Sequence, residues 1–127
     1  AQAAFKSSDS KIKYSMYIGR WQPWHQGHRW LIDQRLDDGK NVLICIRDIE
    51  PDEKNPWTSK EVEANLQIEL KDLIKQGKVK IVIIPDIESI NIGRGVGYDI
   101  IEHVPPEEIR DVSATNIRKQ MKKDGKL

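Results

Sequence analysis

Apolar residues fall along this chain in three tight runs, and the stretches between them carry apolar residues at helical spacing. The first run, Tyr14-Ser-Met-Tyr-Ile18, ends at Gly19 and predicts a short buried strand. Pro23 breaks the extended run. Gly27 to Leu36 then reads as a helix, with Trp30, Leu31 and Leu36 on its buried side and Gly39 as its stop. From Asn41 to Arg47 the residues Val42, Leu43, Ile44, Cys45 and Ile46 follow without a polar break. That is the pattern of a central parallel strand, buried on both faces. Asp48 to Trp57 is polar, contains Pro51 and Pro56, and reads as a loop beyond the carboxyl end of that strand. Thr58-Ser-Lys-Glu61 has the spacing of a capping box. The helix it opens runs to about Gln76, with Val62, Leu66, Leu70 and Leu73 at helical spacing and Gly77 as the stop. Val79 to Ile84 predicts a third buried strand, halted by Pro85.

Beyond Pro85 the pattern thins. Ser89 to Ile92 and Ile100 to Val104 are candidate fourth and fifth strands, separated by the glycine-rich Gly93-Arg-Gly-Val-Gly-Tyr98. Val112 to Met121 predicts a closing helix capped by Ser113 or Thr115, with Lys122, Lys123 and Gly125 at its end. Strand and helix alternate, so the expected class is α/β: a Rossmann-like doubly wound parallel sheet of about five strands with flanking helices. In such a sheet ligands bind beyond the carboxyl ends of the strands, where the strand order switches. Residues 1–13, with Ser7, Ser8 and Ser10 clustered, read as a flexible arm or linker, and residues 14–127 as one domain. The start at Ala1 fits an altered start or a piece cut from a longer chain equally well.

Composition narrows the class. The 127 residues are 38% hydrophobic and 32% charged, with a formal net charge of +1. The near-neutral balance argues against a nucleic-acid coat protein. Cys45 is the single cysteine, so no disulfide forms within the chain, and a reducing, cytoplasmic location is expected. No apolar run approaches the roughly 20 residues of a membrane span. No apolar stripe specifies an oligomer.

The chemistry concentrates in one turn, Tyr17-Ile-Gly-Arg-Trp-Gln-Pro-Trp-His-Gln-Gly-His28. Two imidazoles, Arg20 and the start of a helix within one turn make a site for anions, most plausibly phosphate. Gly27 would let the backbone approach that phosphate, and the helix would aim free N–H groups at it. A zinc site would need further ligands, but Cys45 and His103 belong to other segments and the chain offers no carboxylate cage, so no metal held by side chains is expected. Trp21 and Trp24 read as packing around the turn. Lys119, Lys122 and Lys123 read as a solvated helix end.

Gly19 to His28 resembles the Gly-Arg-Phe-Gln-Pro-Phe-His-x-Gly-His signature of the HxGH nucleotidyltransferase superfamily, with tryptophan in place of both phenylalanines. Val112-Ser-Ala-Thr-Asn-Ile-Arg118 is similar to that superfamily's second signature, Ile-Ser-Ser/Thr-Thr-x-Ile-Arg, and also heads the last helix. The resemblance spans about Tyr14 to Met121. It implies transfer of a nucleotidyl group from a nucleoside triphosphate to a small phosphorylated acceptor, with release of pyrophosphate and Mg²⁺ riding on the triphosphate. It further implies that His25 and His28 hold the α-phosphate region. Arg20 and Arg118 would hold the β- and γ-phosphates, with Ser113 and Thr115 as hydroxyl contacts. Gly19, Trp21, Gly27 and Val112 would frame the nucleotide, with Gly93 and Arg94 as further candidates. Asn55-Pro-Trp-Thr58 resembles an Asn-Pro-Phe-Thr segment of archaeal-type nicotinamide mononucleotide adenylyltransferases. It places Arg47, Asp48, Asn55 and Trp57 on the acceptor side. This form of the signatures favours AMP transfer. A cytidylyltransferase acting on a small phosphorylated alcohol is the alternative, although Pro106 to Ser113 stands where the minimal cytidylyltransferases carry Arg-Thr-Glu-Gly-Ile-Ser-Thr-Thr. A nucleotide-binding regulatory domain of a larger protein is the non-enzymatic alternative. These families often assemble into dimers or larger oligomers.

Overall fold

The chain is described by a computed structural model in which residues 12–94, 97–110 and 114–125 are described. Three parallel strands form its sheet: β1 (Tyr14–Gly19), β2 (Asn41–Asp48) and β3 (Val79–Pro85), in the order β1-β2-β3. Helix α1 (Gln26–Leu36) links the first pair, and α2 (Ser59–Glu69) with the short α3 (Lys71–Lys75) links the second. Helices α4 (Glu107–Arg110) and α5 (Ala114–Lys123) follow.

The apolar runs explain the layering. In β2, Val42, Ile44, Cys45 and Ile46 are all buried. Successive strand residues point to opposite faces, so burial of Cys45 together with its neighbours means that both faces are covered. The register sets Tyr17 beside Ile44 and Ile44 beside Ile81. Ile32 of α1 and Val62, Leu66 and Leu70 of the second crossover complete the core. Ile32, Ile44, Ile46 and Leu66 are wholly inaccessible.

The outer strands depart from the fully buried pattern expected of them. Met16 in β1 is 59% exposed. In β3, Val79, Ile81 and Ile83 are buried and the residues between them are half-buried. Among the described residues each of these strands pairs on one side only, and each is covered less completely than β2. In α1 the fully buried residue is Ile32, while Trp30, Leu31 and Leu36 are half-buried. The second crossover is interrupted at Leu70 (φ −114°, ψ 19°), which drives its side chain into the core. The Thr58 capping box forms as expected, with Glu61 N–H on Thr58 Oγ1 at 3.1 Å and Thr58 N–H on Glu61 Oε1 at 3.0 Å.

The fourth and fifth strands do not form among the described residues. Ile90, Ile92, Ile100, Ile101 and Val104 are all exposed, without strand pairing. A further parallel strand needs a crossover of about a dozen residues, usually helical. Among the described residues from Asp86 to Val104 no helix accompanies the isoleucines, so the expected five-strand sheet gives way to three strands. His103 is the point at which this segment returns to the body, its ring stacked on Tyr17 with centroids 6.4 Å apart.

Candidate functional site

The turn between β1 and α1 is built around Trp21. Its backbone lies at φ 53°, a left-handed conformation that costs a bulky residue about 1–3 kcal/mol. Burial offsets that cost. The indole is 7% exposed, and its Nε1 donates to the Cys45 carbonyl of β2 at 3.1 Å. The ring lies against Gly19, where an added Cβ would sit 3.0 Å from the indole carbons. Gly19 and Trp21 therefore shape the turn from inside, and the Gln22–Pro23 bond that follows is cis.

The two histidines then cap α1 together. His25 Nδ1 accepts the N–H of Gly27 at 3.0 Å and of His28 at 3.4 Å, while His28 Nδ1 accepts the N–H of His25 at 3.3 Å. The rings stack with centroids 3.6 Å apart. This corrects one expectation: the N–H groups of Gly27 and His28 are directed at His25, not left open for phosphate. It also changes the reason for Gly27. A Cβ there would meet His25 Cε1 at 2.9 Å, so the glycine makes room for the imidazole.

The capping pattern fixes the tautomers. A ring nitrogen that accepts a hydrogen bond cannot carry the proton, so each neutral imidazole holds it on Nε2. The surroundings keep both rings neutral. His28 also packs against Trp21 (4.9 Å, edge-on) and Trp24 (5.3 Å). Burial, reinforced by neighbouring His25, pushes the His28 ring down to about 3, and burial lowers His25 as well. The pair supplies neutral N–H donors at Nε2 rather than cations.

Positive charge comes from elsewhere. Arg20 is exposed just beyond β1, and Arg118 of α5 donates through Nη1 to the Gln22 carbonyl. Asp52 lies within electrostatic reach of both arginines. Its carboxylate is held below the usual range, first by the Asn55 N–H, with the Asn55 amide, the Lys54 N–H and the Arg20 charge adding to it. The structure thus brings His25, His28, Arg20 and Arg118 to the carboxyl edge of β1. Gly93 and Arg94 stand exposed, with open space around Gly93. Val112 and Ser113 lie outside the described residues, and Thr115 falls in the first turn of α5.

The acceptor-side residues sit at the end of β2 and on the loop that follows it, and most already have protein partners. Arg47 Nε donates to Asp86 Oδ1 at 2.8 Å, and its Nη2 lies 2.7 Å from the same oxygen. That pairing holds the Asp86 carboxyl below its usual range, helped by the Ile87 N–H. Asp48 accepts the buried Ser59 hydroxyl at 2.7 Å and so tethers the start of α2. Asn55 is buried, with its N–H on Asp52 Oδ1 at 2.7 Å and its side-chain amide on the same oxygen at 3.3 Å. Trp57 is half-buried, and its backbone is gripped by Gln22.

Three residues of this network went unmarked in the sequence: Gln22, Asp52 and Asp86. Gln22 sat in plain view between two bulky residues, but no periodicity distinguishes a buried glutamine from an exposed one. Asp86 directly follows the strand that neighbours Arg47, which parallel register alone could have suggested.

No family model matches the chain. Over 52 residues it is 35% identical to the nicotinamide-nucleotide adenylyltransferase of Methanocorpusculum labreanum, a match covering 39% of this chain and 31% of that protein. The chain thus spans about a third of the length of this curated relative. Among the described residues no helix is long and apolar enough to cross a membrane, and no cluster of three or more His, Cys, Asp or Glu could hold a metal ion.

Proposed function

We propose that this domain transfers a nucleotidyl group, AMP by preference, from a nucleoside triphosphate to a phosphate-bearing acceptor, in the manner of a nicotinamide mononucleotide adenylyltransferase. The observation that carries the reading is the paired histidine cap. Two imidazoles with Nδ1 committed to backbone N–H groups become two neutral Nε2–H donors, stacked on one another in the turn that also carries Arg20 and whose Gln22 carbonyl receives Arg118. The partial similarity to an adenylyltransferase supports the same class.

In this reading an acceptor phosphate oxygen attacks the α-phosphorus in line. The new P–O bond forms as the bond to the pyrophosphate oxygen breaks, and the departing pyrophosphate takes the electron pair. His25 and His28 donate to the α-phosphate oxygens, whose charge grows in the transition state. Neutral donors suit this step, because they stabilise added charge without trapping the product electrostatically. Arg20 and Arg118 hold the β- and γ-phosphates, with Ser113 and Thr115 as hydroxyl contacts at the head of α5. Mg²⁺ arrives with the triphosphate substrate, since the carboxylates nearest the arginines are already hydrogen-bonded: Asp52 to Asn55, and Asp86 to Arg47. Trp57 offers a ring to a planar acceptor.

The test is pyrophosphate release with Mg²⁺ and either ATP or CTP, each offered with nicotinamide mononucleotide and with phosphorylated alcohols. Release with ATP and the mononucleotide supports the reading. Release only with CTP turns it to a cytidylyltransferase. Triphosphate binding without release from any pair turns it to a regulatory nucleotide-binding domain, an outcome favoured by how many acceptor-side polar groups are already paired within the protein.

A further inference from the structure

Gln22 is 3% exposed, yet its side chain bonds the histidine turn to the loop after β2. Its Nε2 donates to the Trp57 carbonyl at 2.8 Å, and its Oε1 accepts the Trp57 N–H at 3.0 Å. A side-chain amide has been spent as one rung of a ladder, satisfying both backbone groups of a residue 35 positions away. Trp57 immediately precedes Thr58, the cap of α2, so the same rung fixes where that helix starts. The backbone of Gln22 does a second job, since its carbonyl accepts from Arg118, 96 positions away. One residue thus joins three segments: the turn, the Trp57 loop and α5.

The two jobs use different atoms, and this separates their consequences. The carbonyl serves Arg118 whatever the side chain is. The side chain serves only Trp57. We propose that Gln22 is a positioning residue for the acceptor: its amide holds the Trp57 loop in register with the histidine turn, while the triphosphate half of the site is indifferent to it. The inference rests on reading the Trp57 loop as the acceptor side.

Its physical basis is the cost of leaving part-buried backbone groups unpaired. Replacing Gln22 by leucine keeps similar bulk but strands the Trp57 N–H and C=O, so the loop escapes by opening to water. Replacing it by methionine likewise removes both hydrogen bonds, with an unbranched side chain closer in shape to glutamine. Gln22→Leu and Gln22→Met therefore form a matched pair.

The experiment follows amide hydrogen exchange at Trp57 by NMR, together with ATP affinity by calorimetry and steady-state kinetics with ATP and nicotinamide mononucleotide. In Gln22→Leu and in Gln22→Met the Trp57 amide should exchange about tenfold faster or more, as expected for local opening after loss of a part-buried hydrogen bond. The amide of Gly27, held by His25, should stay protected. KM for the mononucleotide should rise about tenfold in Gln22→Leu, with ATP affinity within about twofold and kcat falling far less than KM rises. Unchanged exchange at Trp57, or an ATP affinity that weakens as much as the acceptor KM, overturns the proposal. If the parent protein releases no pyrophosphate, the transfer reading fails and the acceptor role fails with it, while faster Trp57 exchange in the variants still assigns the loop tether to Gln22. If Gln22→Leu does not fold, Gln22→Met carries the same comparison.

Discussion

The turn between β1 and α1 and the loop between β2 and α2 lie side by side at the carboxyl edge of the sheet, yet they spend their polar groups differently. In the turn, backbone N–H groups satisfy the inner nitrogens of His25 and His28, and the outer nitrogens are thereby made donors. In the loop and at the strand ends beside it, the polar side chains mostly satisfy the protein itself: Asp48 holds Ser59, Asp52 holds Asn55, and Arg47 holds Asp86. In the proposed reading the first arrangement leaves donors for a ligand. The second consumes groups to shape a loop, whose Trp57 is half-buried against the core. A polar residue near a site is a recognition candidate only after its internal partners have been counted.

The largest effect should come from the donors. His28→Ala removes one Nε2–H and should lower kcat/KM about 10²- to 10³-fold, measured by pyrophosphate release. A loss of less than threefold would erase the distinction between turn and loop.

A second measurement separates neutral donors from cations. The folded His28 ring is lowered to about 3 against 6.5 in the unfolded chain. Between those values the unfolded state binds more protons, so stability is lost as pH falls through that window and is flat for this group above 6.5. The slope from one histidine is up to about 1.4 kcal/mol per pH unit, readable by urea denaturation at about pH 7 and about pH 4.5. Triphosphate affinity should also show no loss as pH rises through 6.5. Such a loss would mean that the rings act as imidazolium.

Gly27→Ala sharpens the turn further. In a helix this substitution normally stabilises by up to about 1 kcal/mol. Here the new Cβ meets the His25 ring at 2.9 Å, so triphosphate affinity should fall by about tenfold, on the order of 1.4 kcal/mol, without a gain in melting temperature. The smallest effect belongs to the loop. Asp48→Ala should cost about 1 kcal/mol of stability through the lost Ser59 bond and leave kcat/KM within about threefold. A rise in acceptor KM well beyond that would move Asp48 from loop architecture to recognition.

What could be read from the one-dimensional pattern was what depends on periodicity and on neighbours in sequence. The uninterrupted run from Val42 to Ile46 identified the central strand, and Thr58-Ser-Lys-Glu61 its capped helix, because both signals are carried by residues within a turn or two of each other. The histidine turn was visible for the same reason: its groups lie close together in the chain. The isoleucines at 90, 92, 100 and 101 misled, since apolar content without a crossover does not build a parallel strand.

The sequence by itself determined an α/β chain with two histidines, an arginine and a helix start gathered in the turn after its first strand. Only the tertiary structure decided which nitrogen of each histidine faces outward, that Gly27 yields to an imidazole, and that Gln22, not Asp48 or Asn55, ties the two halves together. A contact is a property of two partners in space. The partners of the two imidazoles and of Gly27 are close in sequence, but ring orientation decides which atoms meet. The partner of Gln22 lies 35 residues away, brought within 3.0 Å only when parallel strands place their following loops side by side.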